Sequence, residues 1–591
     1  MSAAEDDWGW LDAGLDSGEV LDPGDLRSRV FDGVAADRDG VMTRRLLGFA
    51  ADRRVSVRRT LFELLDDLCF QNPGWPLVAD AAEAALGDED PQVRRAAATV
   101  LVGAAELDRA LAALDVAGDP VVRAALVDAL PWHRLPQHRS LLESLRSDPA
   151  LAVRLLANVA VLSRGEGKGA EEAAWNAAIR ADLEADVPGA GRGRTGGERW
   201  ALALTRLDRE EDCYAWVHRL TDPAESPRVQ VRLEGVRMAV EAMRTWRAAP
   251  GRLTPVLTGL REEGAALRAV AASLTASRLA VEALAERLDD PELGPVAATA
   301  LGCVGDHRAF PYLVRSMLVR DEPRLGEAFR ALARAGADPR APVAAARELL
   351  AARPDSPPGL AMRVLAAFGP AAAPAVPELI ATVRAAGNDT PASTFRILGR
   401  IGPAAADAVP LLRQHPSPHA VLALLRITSD RTVADRYLAG RPEDRRRDRL
   451  APALLTWISE NGGLTVRQHR QLRNLFRTPG FGQVDTAGAL WRHEGPAAAA
   501  EVVEALSEYL FDDLLGPRAL RVLGAMGVHA RPVLDRLDGF IGRRRRGGFH
   551  IGDYDAEMRA DEMMLAATIA ARNQIAGPGE QSPPPTALNQ G

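Results

Sequence analysis

The side chains that could do chemistry in this 591-residue sequence are few and far apart. Its ten histidines include no HExxH pattern; His415 and His419 are four apart, but Pro416 and Pro418 keep them from sharing a helical face. Cys69, Cys213 and Cys303 are separated by more than eighty residues and sit beside apolar neighbours, which excludes a disulfide framework and a CxxC zinc site and reads as small buried hydrophobes. No glycine-rich phosphate loop occurs. A pocket for an extruded base would use aromatic residues and a carboxylate on a basic face, and Trp132-His133-Arg134 and Trp491-Arg492-His493 are the candidates for its aromatic and basic parts. A tryptophan at a repeat junction is more often a packing plug. Arg543 to Arg546 form a cationic run, yet the chain has a net charge of −7, and Asp553, Asp555, Glu557, Asp561 and Glu562 follow at once. The run reads as a turn balanced by the next helix, and nucleic acid is not an expected partner.

The elements that would position such residues are short helices. Asp90-Pro91, Asp119-Pro120 and Asp148-Pro149 recur at 29-residue steps. Val93-Arg94 and Val122-Arg123 follow the first two, Val153-Arg154 the third two residues late, and Val57-Arg58 and Val231-Arg232 follow Asp52 and Asp222-Pro223. Aspartate before proline is an N-cap whose carboxylate accepts a free backbone N–H, and proline at the first helical position forfeits a donor that has no partner there. A helix is therefore expected to begin at each pair. Val93, Ala97, Val100 and Leu101, then Val122, Leu126, Ala129 and Leu130, form one apolar stripe per helix. One unit is two antiparallel helices of about ten residues, too short to persist alone and stabilised by stacking on the next unit.

A second pattern recurs at 33 residues, Ala366 to Leu379 against Gly399 to Leu412, with shorter versions at Leu301 to Leu313 and Leu523 to Leu534. Its glycine is expected to be a left-handed helix C-cap, and its proline to start the next helix. The Asp-Pro-x-Val-Arg pattern and this glycine-proline pattern resemble HEAT repeats, in particular the short bacterial HEAT-like units also found in phycobilisome-lyase-type proteins. The resemblance covers Asp52 to Leu162 and Ala280 to Leu412 most clearly, and Cys213 to Leu274 and Pro496 to Leu537 more weakly. It implies an all-α, right-handed α-α superhelix with a concave inner surface that holds another macromolecule, and Val-Arg arginines that form a structural ladder with aspartates of adjoining turns. Deoxyhypusine hydroxylase, similar in repeat type, holds a di-iron centre through several His-Glu dipeptides; this chain has one, His493-Glu494.

The expected organisation is an acidic, Trp-containing arm over 1–40, repeats over 41–185, a Gly-rich loop or insertion over 186–198, repeats over 199–540 with a charged connector near 441–449, a basic turn and capping helix over 541–575, and a disordered tail over 576–591. The arm carries eleven Asp or Glu against three Arg, a net of −8 that leaves +1 for the rest of the chain. Trp8, Trp10, Leu11 and Leu15 interleave with its acids as in segments that dock into a groove, in cis or in trans. No apolar run reaches the ~18–20 residues of a membrane span, and the first residues are acidic rather than basic, so a cytoplasmic location is expected. The expected function is a non-catalytic scaffold or adaptor for another protein or peptide, with no cofactor, metal or membrane. Arg59, Glu63, Arg95, Thr99 and Asp128, off the buried stripe of the second helices, are the expected partner-binding residues. The alternatives are a lyase, hydroxylase or DNA-glycosylase-like enzyme on the same scaffold, or a nucleic-acid-binding one.

Overall fold

The computed structural model describes residues 40–71, 75–163, 170–184, 196–260, 264–317, 323–415, 417–439, 450–547 and 553–577, together with Leu11, Leu15, Val30, Phe31, Gly33 and Val34. The architecture is an all-α superhelical repeat of stacked helix pairs, and among the described residues the only bridge pairing is Trp246 with Arg545. The chain divides into two units, Met1–Glu241 and Ala242–Gly591. That division falls inside the Val229–Thr245 helix, where composition and repeats give no signal.

In the first unit the second helices of successive pairs, Val55–Gln71, Pro91–Ala104, Pro120–Ala129, Leu151–Ser163 and Gly196–Arg206, stack on one another as a row. Pro76–Ala85, Leu107–Val116 and Arg139–Leu145 supply first helices. Asp90 and Asp119 cap as expected, each accepting two backbone N–H groups. Val93, Ala97, Val100, Leu101, Val122, Leu126 and Leu130 are buried, each aliphatic side chain contributing roughly 1.5–3 kcal/mol, whereas Ala129 is half-buried.

Three expectations about local structure fail. The helix after Asp148-Pro149 begins only at Leu151, and the one after Asp222-Pro223 only at Val229. Both aspartates instead close a turn, accepting from the N–H of Ala150 and Ala224 at 2.8 Å, and the late start at Leu151 explains the late Val153-Arg154 step. Gly196 and Gly197, placed in a loop because glycine disfavours helix, open the Gly196–Arg206 helix. Gly197 is needed for its missing side chain: a Cβ would lie 2.6 Å from the Glu234 carbonyl oxygen. Its N–H, free in a first turn, donates to the Glu234 carboxylate at 2.7 Å.

The second unit also has a row of second helices, including Gly294–Cys303, Pro323–Arg334, Gly359–Phe368, Ala392–Ile401, Pro418–Thr428, Leu450–Glu460, Phe481–Glu494 and Gly516–Met526. Gly305, in the shorter version at Leu301 to Leu313, is the expected left-handed cap, at φ 83° with the Asp306 N–H donating to the Leu301 carbonyl, but the two glycines of the 33-residue pair are not. Gly369 and Gly402 take φ of 54° and 75° with ψ of −118° and −142°, a region open essentially to glycine, and each leads into a seven-residue 3₁₀ segment before the next α-helix. The stretch Gly359–Asp389 is long and apolar enough to cross a membrane. It is broken at Gly369, however, and Leu360, Val364, Leu365, Ala372, Ala375 and Leu379 are buried in the unit's own core.

The unit's last helix, Tyr554–Ala576, packs on Gly516–Met526 and Leu534–Ile541 and also on Leu274–Leu279 near the unit's start. Asp561 accepts from Arg247 Nη2 at 2.7 Å, Arg546 Nη1 at 3.2 Å and the Gly547 N–H at 3.1 Å, and Glu562 accepts from the Ser273 hydroxyl at 2.6 Å. The side chains of Arg247, Asp561, Arg546 and Glu562 are exposed by 7% or less. Arg546 of the cationic run is thus balanced by the following helix, as the sequence suggests for the run, whereas Arg543 lies over the Phe511 and Phe540 rings.

Candidate protein-binding surface

The Val-Arg arginines build a ladder along the first unit's second-helix row. Each sends Nη1 back to carbonyls at the start of its own helix: Arg58 to Asp52, Arg94 to Asp88, Arg123 to Ala117 and Gly118, Arg154 to Asp148, Arg232 to Ser226. In the first four, the other edge of the guanidinium reaches an aspartate of the next repeat. Arg58 meets Asp88 at 2.8 Å, Arg94 meets Asp119 at 3.1 Å, Arg123 meets Asp148 at 3.0 Å and Arg154 meets Asp182 at 3.2 Å. The planar, five-donor guanidinium makes this two-sided use possible, which a lysine could not reproduce. The structural ladder implied by the repeat resemblance is present.

The five expected partner-binding residues lie on this row but do not form a free set. Arg59 donates from Nε to Asp90 at 2.8 Å and pairs with it again through Nη2, so it holds the N-cap residue of the following helix. Asp128 is taken by Arg199 at 2.8 Å. Arg95 and Thr99 are half-buried, and the Thr99 hydroxyl donates back to the Arg95 carbonyl at 3.3 Å. Glu63 is exposed. Of the arm residues, Leu11 and Leu15 are helical and fully buried; Trp8 and Trp10 lie outside the described residues, as do the charged connector over 441–449 and the tail beyond Gly577.

The second unit's row carries a cationic surplus. Arg492 pairs with Glu460 at 3.1 Å and Arg518 with Asp485 at 2.7 Å. Among the described residues Arg400 donates only to the Ala366 carbonyl, at 2.9 Å, and Arg426 makes no hydrogen bond or ion pair. Burial, and then the like charge of Arg400, pulls the basicity of Arg426 below the usual guanidinium value, with Glu460 opposing. Arg426 opens on a cavity of about 250 Å³ lined by Ala453, Thr456, Trp457, Glu460 and Asp485. Sequence reasoning missed it. The available signal was a single arginine inside the apolar run Ala420 to Ile427, where a charge is rarely tolerated without a use.

The other candidate chemistry resolves into packing. Trp132 is buried and its indole N–H donates to the Val127 carbonyl at 2.7 Å, so it is a junction plug. Glu494 accepts from His469 and Arg473, and Arg473 also holds Glu501 at 2.7 Å. Burial alone would raise the Glu494 carboxyl, but Arg473 and His469 hold it below its ordinary range. His493 only stacks on His469, with ring centroids 4.5 Å apart. Among the described residues no three His, Cys, Asp or Glu side chains are placed to hold a metal. Cys69 and Cys213 are buried and Cys303 is half-buried; burial pushes the Cys69 thiol up to about 12, far from a reactive thiolate.

No family model matches the sequence, and no curated protein matches it. Among solved structures, yeast importin-beta (Kap95p) is similar with a TM-score of 0.43 and 11% identity, over 89% of this chain and 84% of that one. Kap95p in its complex with RanGDP gives 0.40 and 11%, over 92% and 86%. An engineered protein gives 0.31 and 18%, over 65% of this chain and 97% of its own.

Proposed function

We propose that the protein is a non-catalytic scaffold that holds another protein or peptide along its second-helix row. The observation that carries this reading is the surplus of guanidinium groups on the second unit's row: among the described residues, the carboxylates paired with or acting on Arg400, Arg426, Arg492 and Arg518 are Glu460 and Asp485. Exposed surplus charge of one sign on a rigid stack of helices steers and orients a partner of the other sign. In the first unit Glu63 offers an exposed contact, while Arg59 and Asp128 serve the repeat stack and reach a partner only by leaving Asp90 and Arg199.

Affinity capture with the full chain tests this reading. Arg400→Glu with Arg492→Glu is expected to lose partner capture while keeping the far-UV helix signal, and Glu63→Arg to weaken it less. Undiminished capture by both variants would remove the second-helix row as the binding surface.

A further inference from the structure

Resting on that scaffold reading, we infer that the cavity beside Arg426 receives a single carboxylate, presented by an Asp or Glu side chain of the bound segment, with its apolar neighbour packed on Trp457. Four observations converge on it. Arg426 is half-buried between the buried Leu425 and Ile427, and its guanidinium donates to nothing among the described residues. Leaving charged donors unmade while part-desolvated is unfavourable, and a carboxylate is their bidentate complement. Both carboxylates that line the cavity are already paired, Glu460 with Arg492 at 3.1 Å and Asp485 with Arg518 at 2.7 Å, so neither bonds Arg426 and Glu460 offsets its charge only from a distance. Arg400 adds a second positive charge from the preceding helix.

The geometry is pre-set. Gly399 stands where the stem of Arg426 crosses the preceding helix: a Cβ there would lie 3.3 Å from Arg426 Cδ and 3.1 Å from Ala423 Cα. The arginine stem is thereby held against backbone, and less rotamer freedom is lost on binding. At about 250 Å³ the cavity is smaller than the roughly 300–1,000 Å³ of small-molecule sites and suits one side chain. Trp457 and Ala453 give it an apolar wall, while the Thr456 hydroxyl is spent on the Asp485 carbonyl at 3.2 Å. The ladder arginines of the first unit show the contrast, since each of them has its carboxylate within this chain.

The test uses the full chain and two fluorescein-labelled octapeptides of alternating Leu and Ala, one carrying a central Glu and the other a Gln, read by fluorescence polarisation at low salt. The Glu peptide is expected to bind about tenfold more tightly, the worth of one charge-assisted contact. Arg426→Gln should erase that preference with an unchanged or raised melting temperature, because it removes a poorly solvated charge. Arg340→Gln, at an exposed position, should preserve it. Equal affinity for the two peptides in the natural chain, or a preference that survives Arg426→Gln, would overturn the carboxylate site. Displacement by acetate below the peptide's own Kd would also overturn it, in favour of a free small carboxylate. The scaffold reading fails separately: it falls if Arg400→Glu with Arg492→Glu leaves partner capture intact, whereas equal peptide binding with lost capture removes only the Arg426 subsite.

Discussion

The two units use the same side chain to opposite ends. In the first, each ladder arginine ties a helix start to an aspartate about one repeat away, as with Arg58 to Asp88, separated by 30 residues, and Arg123 to Asp148, separated by 25. Such ties couple nearest neighbours only, the regime in which a solenoid's stability is a sum over repeats. In the second, Arg247 reaches Asp561 across 314 residues and Ser273 reaches Glu562 across 289, so the last helix is bonded to the first elements of the unit. A stack closed this way cannot fray from its ends without breaking a buried ionic cluster. Arginine therefore sets how far a local disturbance spreads, and the surplus at Arg426 lies in the unit whose ends are tied.

Removing the closing carboxylate should separate the units most clearly. Asp561→Asn leaves Arg247 and Arg546 buried against a neutral partner, a loss of about 3–5 kcal/mol. Hydrogen exchange is expected to accelerate throughout the second unit, at both the Ala249–Gly259 and Tyr554–Ala576 helices, and not along the ladder. Equal acceleration in the first unit would break the contrast. Asp148→Asn in the ladder withdraws two bonds from Arg123, which keeps its own-helix carbonyls, so the loss is about 1.5–3 kcal/mol. Exchange should rise in Pro120–Ala129 and Leu151–Ser163 alone, and a spread to Val55–Gln71 would show that the ladder is cooperative. Gly402→Ala forces a side chain into φ 75°, ψ −142° and should lower stability by about 1–3 kcal/mol, seen as a lower urea midpoint for the second unit.

The sequence made the repeats legible because a capped helix start is a local matter: Asp90, Pro91, Val93 and Arg94 declare it within five residues. The ladder was legible through the repeat resemblance, for the same reason of spacing. The closing cluster was only half legible, since the acids after Arg546 suggested local balance but nothing local in Arg247 or Ser273 announces partners some 300 residues away. Gly197 was misread because its role is close approach to Glu234, a tertiary fact that overrides helix propensity. The expected site residues do lie on the second-helix row that periodicity gave them, but periodicity gives direction and not pairing. Arg59 and Asp128 point off the stripe and are nonetheless taken by Asp90 and Arg199.

The smallest expected effect decides how firmly Arg59 belongs to the ladder. Arg59, opposed by burial and helped by the N–H groups of Val93 and Gln92, holds the Asp90 carboxyl at about 2. Because that is below its unfolded value of about 3.9, the group stabilises the fold above pH ~4 and loses that contribution as pH falls through about 2. Asp90→Asn retains a good N-cap but no charge for Arg59, whose half-exposed side chain limits the loss to about 0.2–1 kcal/mol. The natural chain and the variant should therefore differ in urea stability at pH 6 and converge towards pH 2. A difference that persists unchanged to pH 2 would show that the amide itself, and not the lost ion pair, weakens the helix start. No difference at any pH would return Arg59 to the set of side chains free to meet a partner, and make the first unit's row as available as the second's.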